Sequence, residues 1–138
     1  MKKLIAGLAL LGASSCVLAE AQPVTLVLSD ASGMTQGMAM VLANQMQEQG
    51  AQVNILLCDK AGDMALKEAG GEPLKPNNVT PSQLLSAVMS KGATASVCAL
   101  YLPNSGYSRD ALKDGIEVAS PDAMARNLLE KDRKVLGF

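Results

Sequence analysis

The cysteines are the residues of this chain with the most specific chemistry. The 138-residue sequence has three cysteines and no histidine. Without histidine, the chain lacks the commonest general base, the commonest metal ligand and every Ser–His or Cys–His nucleophile pair. Cys98 lies in the apolar run 94–102, which predicts a buried strand that breaks at 103–106. Cys98 is therefore the candidate catalytic residue.

Two interpretations of Cys98 follow from this position. A free cysteine in an apolar strand commonly serves as a small hydrophobic packing residue. A reactive thiol requires positive potential nearby, because the thiolate is the nucleophile and apolar surroundings raise a thiol's pKa. Arg109, a lysine of a neighbouring subunit or a helix N-terminus could supply that potential. The sequence leaves both interpretations open.

The segment 1–19 predicts a secretory signal peptide. Two lysines precede the apolar segment 4–11, and Ala19 completes a small-x-small cleavage site. We therefore predict export to the periplasm and one mature domain at 20–138. No membrane span is expected, since no segment reaches the roughly 18 apolar residues that a spanning helix needs. Lipidation of Cys16 stays an alternative, although the residues before it fit a lipoprotein signal poorly.

The charged residues exclude a nucleic-acid-binding surface. The chain has 12 basic and 13 acidic residues, and the basic ones are scattered singly until Lys131, Arg133 and Lys134. We interpret these three as solvated charge around the last strand. Nucleic-acid binding requires a basic patch, usually with aromatic residues for stacking, and neither is present in the sequence.

Strand-like and helix-like segments alternate along the mature chain, which is typical of a parallel sheet covered by helices. We predict an α/β fold: a three-layer α/β/α sandwich around a five-stranded, mainly parallel sheet. In the first helix, a 3.6-residue period predicts that Met34, Met38 and Val41 face the core, together with Leu42 and Met46. The predicted strands are 24–28, 52–58, 94–102, 116–118 and 134–138, and the predicted helices are 34–49, 62–69, 80–91 and 120–131.

Whether Cys58 and Cys98 can form a disulfide depends on the strand order. An exported protein with two mature cysteines often pairs them. If the first strand lies between theirs, two spacings of about 4.8 Å separate them, which exceeds the limit of about 6.8 Å between the Cα atoms of a disulfide. If the two strands are direct neighbours, the objection disappears.

Other ligand sites are alternatives. The loop 29–35 precedes a helix and could hold a phosphate on its backbone amides, as in an FMN site, with Tyr101 and Tyr107 stacking on the flavin. Soft ligands from methionine, Cys58 or Cys98 could bind Cu(I). A tight turn and a methionine-rich core explain the same residues, so we predict no cofactor.

The second half of the chain carries a pattern of short motifs. Val97-Cys98-Ala99 is followed by Gly106, then by the turn Leu-Lys-Asp-Gly-Ile at 112–116, a last helix and the final strand 134–138. This order resembles the DsrE/DsrF-like family, which includes TusD-like sulfur-relay subunits. The resemblance extends over nearly all the mature chain and implies the family's α/β fold.

The resemblance also implies a function for Cys98. In the sulfur-relay members, the cysteine at this position accepts a persulfide sulfur and transfers it to a partner protein. The family commonly assembles as trimers or hexamers, so a homo-oligomer is expected. We predict a periplasmic sulfur carrier that uses Cys98. The alternative is a non-enzymatic binding or assembly module for a small ligand or a soft metal such as Cu(I), with Cys98 as core packing. Whether the protein is an enzyme stays open.

Overall fold

The computed structural model describes residues 21–138. The predicted signal peptide and Cys16 lie outside the described residues. Within residues 21–138, no helix combines the length and the apolar character that crossing a membrane would require.

Five parallel strands form one sheet in the order β4-β3-β2-β1-β5. This confirms the α/β prediction, with all strand pairs parallel. The strands are β1 (Pro23–Leu28), β2 (Gln52–Leu57), β3 (Thr94–Cys98), β4 (Ile116–Ala119) and β5 (Lys134–Gly137). The helices are α1 (Gly33–Glu48), α2 (Pro81–Ser90), α3 (Tyr101–Ser105) and α4 (Pro121–Leu128), and two 3-10 helices span Asp59–Ala65 and Arg109–Ala111.

The two faces of the sheet are covered by different helices. Leu26 and Ile55 are fully buried on the face against which α1 and α2 pack. Side chains alternate between faces along a strand, so Thr25 points to the opposite side. There its hydroxyl donates a 2.7 Å hydrogen bond to Asn127 Oδ1 of α4. These two coverings and the sheet between them are the three predicted layers.

The predicted inward face of α1 is wrong for three of its five residues, whereas Leu42 is half-buried and Met46 packs against the core. Met34, Met38 and Val41 are 77%, 56% and 47% exposed. Three small residues, Gly37, Ala39 and Ala43, are buried together with Gln36 and Met40, and a Cβ atom at Gly37 would lie 2.2 Å from the side chain of Leu74. The period of large apolar residues therefore predicted only part of the buried face of this helix.

The apolar run 94–102 contains two elements rather than one strand. The strand β3 ends at Cys98, and α3 begins at Tyr101. Pro103 does not prevent this helix because it lies in the first turn, where backbone N–H groups have no partner within the helix. The chain therefore turns sharply after Cys98 and places it at the end of its strand.

The helix starts are close to their predictions. In α2, Thr80 and Gln83 form a capping box, in which each side chain accepts from the other's backbone N–H. In α4, Ser120 caps Ala123 N. The helix expected at 62–69 is instead the 3-10 helix Asp59–Ala65.

A buried polar cluster attaches α4 to the sheet. Arg133 Nη1 donates a 3.0 Å hydrogen bond to Thr25 Oγ1, and its guanidinium also pairs with Glu130. Only 7% of the Arg133 side chain is exposed, so its prediction as solvated charge is wrong. Its guanidinium thus joins Thr25 of β1 to Glu130, which follows α4.

Candidate functional site

Cys58 and Cys98 lie side by side at the carboxyl ends of neighbouring strands. Leu57 of β2 is the register partner of Val97 of β3, and in both places the next residue is a cysteine. Neighbouring strands are about 4.8 Å apart, within the Cα separation that a disulfide requires. The strand order thus removes the geometric objection to pairing, and both residues are free thiols in the structure.

Both thiols open onto the α4 side of the sheet. Asn54 Nδ2 donates a 2.8 Å hydrogen bond to Thr94 Oγ1, which shows that these two side chains share a face. Alternation along β2 and β3 places Cys58 and Cys98 on that same face. They border a pocket of about 870 Å³ between the strand ends, α3 and α4. Its apolar wall consists of Leu100, Pro121, Met124, Ala125 and Leu128.

The two thiols differ in exposure. Cys98 is 9% exposed, and what is exposed faces the pocket. Cys58 is half-buried and borders the same space. A molecule in the pocket would therefore reach Cys58 more readily, with Cys98 immediately beside it.

The environment of Cys58 disfavours its ionisation. Burial is the largest cause that raises the pKa of the Cys58 thiol to about 12, and hydrogen bonding to the sulfur of Cys98 and the charge of Asp59 add to it. Cys58 is therefore protonated at neutral pH. A protonated Cys58 retains an S–H that it can donate to a neighbouring sulfur.

Tyr101 closes the pocket beside the thiols. It is 5% exposed, and its hydroxyl donates a 2.7 Å hydrogen bond to Asp63 Oδ1. Burial, followed by the contact with Asp63, raises the pKa of Tyr101 above its usual range. The ring packs on the backbone at Gly62, where a Cβ atom would lie 2.3 Å from it. Tyr101 is thus a fixed wall, and Tyr107, its predicted partner on a flavin, does not line the pocket.

Two sources of positive potential lie at this end of the sheet. Lys60 borders the pocket, whereas Arg109, the cation that the sequence suggested, is exposed and does not border it. The second source is α4, because Ala119, the register partner of Cys98, lies two residues before this helix starts. Asp59 and Asp63 border the same pocket and oppose this potential.

The phosphate-loop interpretation conflicts with the hydrogen bonds of the loop 29–35. Asp30 Oδ1 accepts from Ser32 N, and Ser32 Oγ accepts from Thr35 N. Gln36 Nε2 also donates to the carbonyl of Asp30. These contacts are those of a self-capped turn, with two backbone amides already occupied.

A soft-metal site is the other alternative that the sequence leaves open. Residues 21–138 contain no group of three or more Cys, Asp or Glu side chains arranged to hold an ion.

Sequence reasoning identified Cys98 but missed the residues that complete its surroundings. The apolar run 94–102 predicts a strand at Tyr101, and Asp63 falls in the predicted helix 62–69. Lys60 follows the second predicted strand in a segment without a periodic signal. The sequence would have placed both thiols on one face of the sheet if the strand order had been known. Cys58 shares its face of β2 with Asn54 and Leu56, and Cys98 shares its face of β3 with Thr94 and Ser96.

Comparison with solved structures supports the fold. The chain is similar to the YchN protein from E. coli, with a TM-score of 0.65, 23% identity and coverage of 85% of this chain and 99% of that one. The MTH1491 protein of Methanobacterium thermoautotrophicum gives a TM-score of 0.64 at 13% identity, covering 86% and 100% of the two chains. The BT1422 protein of Bacteroides thetaiotaomicron gives 0.63 at 16%, covering 85% and 95%.

MTH1491 and BT1422 are both described as proteins of unknown function. No protein-family model matches the sequence, and no curated protein matches it. At these identities the likeness concerns the fold alone. The chain is an α/β protein with the same fold as YchN.

Proposed function

We propose that this protein carries sulfane sulfur, with Cys98 as the residue that accepts the sulfur atom. The observation that supports this most is the position of Cys98: it ends a central strand and faces an apolar pocket beside a second thiol. Ligands of parallel sheets bind outside the carboxyl ends of the strands. A residue used only for packing would not need a cavity of about 870 Å³ at its sulfur.

The reaction at Cys98 is a thiol exchange. The Cys98 thiolate attacks the outer sulfur of a donor persulfide, R–S–S–H. A bond forms between Sγ and that sulfur, the S–S bond of the donor breaks, and R–S⁻ leaves. The outer sulfur stays in the same oxidation state, so the step needs no oxidant or reductant. The product is Cys98–S–S–H.

The surroundings support a persulfide at this position. The S–H of Cys58 can donate to the sulfur at Cys98, and Lys60 and the N-terminal end of α4 add positive potential. The apolar wall places hydrocarbon groups beside a persulfide at Cys98 and so reduces its contact with water. Asp59 and Asp63 disfavour small dianionic donors in the pocket. An organic persulfide, free or on a partner protein, is the donor class that fits.

Intact-mass spectrometry tests the proposal. After exposure to a low-molecular-mass persulfide, the wild-type chain is expected to gain about 32 Da at Cys98, located by peptide mapping. The variant Cys98→Ser is expected to lose that adduct, and the pocket variant Asn104→Ala, which removes no thiol, is expected to keep it. An equal adduct in Cys98→Ser refutes the proposal.

Native alkylation provides a second measurement. Rapid, pH-sensitive labelling of Cys98 agrees with a carrier, because the thiolate must be accessible. If Cys98 is protected until the protein unfolds, it is a packing residue.

The proposal includes location and assembly. The signal-like segment 1–19 suggests that the carrier acts in the periplasm, which cell fractionation and the mass of the mature chain would test. The exposed side chains Met34, Met38 and Val41, spaced along one side of α1, suggest a trimeric or hexameric homo-oligomer. Sedimentation is expected to show the oligomer in the wild type and smaller species in Met38→Glu.

A further inference from the structure

The sulfur carrier proposed above uses one thiol, yet the site contains two in contact. Cys58 follows Leu57, and Cys98 follows its register partner Val97, so the two residues are adjacent on parallel strands. Cys58 has an extended backbone, so it continues the path of β2 beside the end of β3. Both belong to the wall of one pocket. A persulfide formed on Cys98 would therefore have a thiol beside its inner sulfur from the moment it forms.

The strand register places the two cysteines at neighbouring positions, where the general strand spacing falls within the range of a disulfide. Strands in a sheet are about 4.8 Å apart, and disulfides join Cα atoms about 4.4–6.8 Å apart. Cys58 has an extended backbone, so it continues the alternation of β2 and presents its side chain on the face of Cys98. Closing the S–S bond needs rotation of side chains rather than movement of the strands.

We propose that Cys58 is the resolving thiol of this site and releases the carried sulfur as hydrogen sulfide. This inference rests on the proposed function. The Cys58 sulfur attacks Sγ of Cys98–S–S–H, the bond between Sγ and the outer sulfur breaks, and a Cys58–Cys98 disulfide forms. The Cys58 proton leaves with the outer sulfur, so the products are the disulfide and H₂S. The outer sulfur is reduced and the Cys58 sulfur is oxidised, while the Cys98 sulfur exchanges one S–S bond for another.

The cycle then needs a dithiol reductant. One thiolate of such a reductant attacks the disulfide, its second thiol resolves the mixed disulfide, and both cysteines return to the thiol form. Access favours attack at Cys58, because Cys58 is half-buried whereas Cys98 is 9% exposed. The substrate class is an organic persulfide, and the activity is a persulfide reductase coupled to a protein dithiol.

The proximity of the two thiols compensates for the low ionisation of Cys58. At neutral pH Cys58 is protonated, which slows attack on a molecule in solution. Within the site the attack is intramolecular, and well-oriented groups gain a large effective concentration. The outer sulfur of the persulfide is also an adjacent base that can take up the Cys58 proton. Cys58 is therefore expected to react with Cys98 far sooner than with an external reagent.

The test compares the fate of one sulfur atom in three proteins. Wild type, Cys58→Ser and Cys98→Ser are loaded with a low-molecular-mass persulfide, freed of excess reagent, and followed by intact mass and by sulfide release. In the wild type, the adduct of about 32 Da is expected to disappear as one H₂S per chain is released, leaving a chain about 2 Da lighter than the dithiol. Non-reducing peptide mapping is expected to show Cys58 linked to Cys98.

The variant Cys58→Ser is expected to keep its adduct and to release sulfide at least about tenfold more slowly. Cys58→Ala provides a second variant, and circular dichroism checks that each is folded. The inference is overturned if the wild type and both Cys58 variants release sulfide at the same rate, or if the wild-type persulfide persists without a Cys58–Cys98 link. If no protein gains the adduct, the proposed function itself has failed, which the first mass spectrum shows before any release is measured.

Discussion

The high pKa of Cys58 predicts that this thiol is alkylated slowly. At pH 8 a thiol with the ordinary pKa of 9.0 is about one-tenth ionised, whereas Cys58, with a pKa of about 12, is about one ten-thousandth ionised. The thiolate is thus about 1,000-fold scarcer. Its nucleophilicity is higher by about 15- to 30-fold, from a Brønsted coefficient of about 0.4–0.5. We therefore expect Cys58 to be alkylated about 30- to 60-fold more slowly than a free thiol.

The assay is alkylation with iodoacetamide, resolved by peptide mass spectrometry so that each cysteine is read separately. For Cys58, the rate is expected to rise about tenfold per pH unit from pH 8 to pH 10 without a plateau. The same peptide in urea-unfolded protein supplies the reference, because its thiol has lost both its burial and its neighbour. There the rate is expected to level off above about pH 9.

A variant separates the causes of the high pKa. Cys98→Ala removes the hydrogen bond and the charge of Cys98 but leaves the burial of Cys58, which is the largest cause. Labelling of Cys58 at pH 8 is therefore expected to accelerate in this variant but to stay slower than in urea. A plateau below pH 10 in the folded wild type would refute the reasoning, as would a Cys98→Ala rate equal to that of the wild type.

Three further outcomes are expected. Thr25→Val is expected to lower the free energy of unfolding in urea by about 1–3 kcal/mol, because it leaves the buried guanidinium of Arg133 short of an acceptor. Gly62→Ala is expected to cost a similar amount, about 1–3 kcal/mol, because the new methyl group would overlap the ring of Tyr101. Stability, measured by urea unfolding, is expected to fall as pH rises above about 9, where the unfolded chain loses the Cys58 proton that the folded chain retains, and to fall more steeply above about 10. The unfolded chain loses the Tyr101 proton near the usual pKa of 10.0, whereas the folded chain retains it to higher pH, so Tyr101→Phe is expected to flatten this fall.

Matched controls accompany the two core variants. Thr94→Val removes an exposed hydroxyl that accepts from Asn54, and its cost is expected to stay below about 0.5 kcal/mol. At Gly70 a Cβ atom would meet nothing within 4 Å, so Gly70→Ala is expected to be nearly neutral. Equal losses in a variant and its control would contradict the roles assigned to Thr25 and Gly62. Equal alkaline slopes in wild type and Tyr101→Phe would contradict the buried phenol.

Local signals in the sequence were enough for the architecture and for one site residue. The unbroken β-rich run of β1 specifies a strand buried on both faces, and Thr80 with Gln83 specifies the start of α2. The break after the run 94–102 marked Cys98 as a residue near a strand end. These features depend on neighbours a few positions away, so they can be read along the chain.

The tertiary structure decided what depends on contacts between distant segments. Strand order made Cys58 the neighbour of Cys98, because β2 and β3 pair directly while β1 lies on the other side of β2. The packing of α1 left Met34, Met38 and Val41 exposed, although the helical period predicts that they face the core. Burial and pairing of Arg133 come from segments more than 100 positions apart. The sequence by itself determined most of the helices and strands and the candidate residue Cys98. Only the packing of distant segments determined that Cys58 lies beside Cys98.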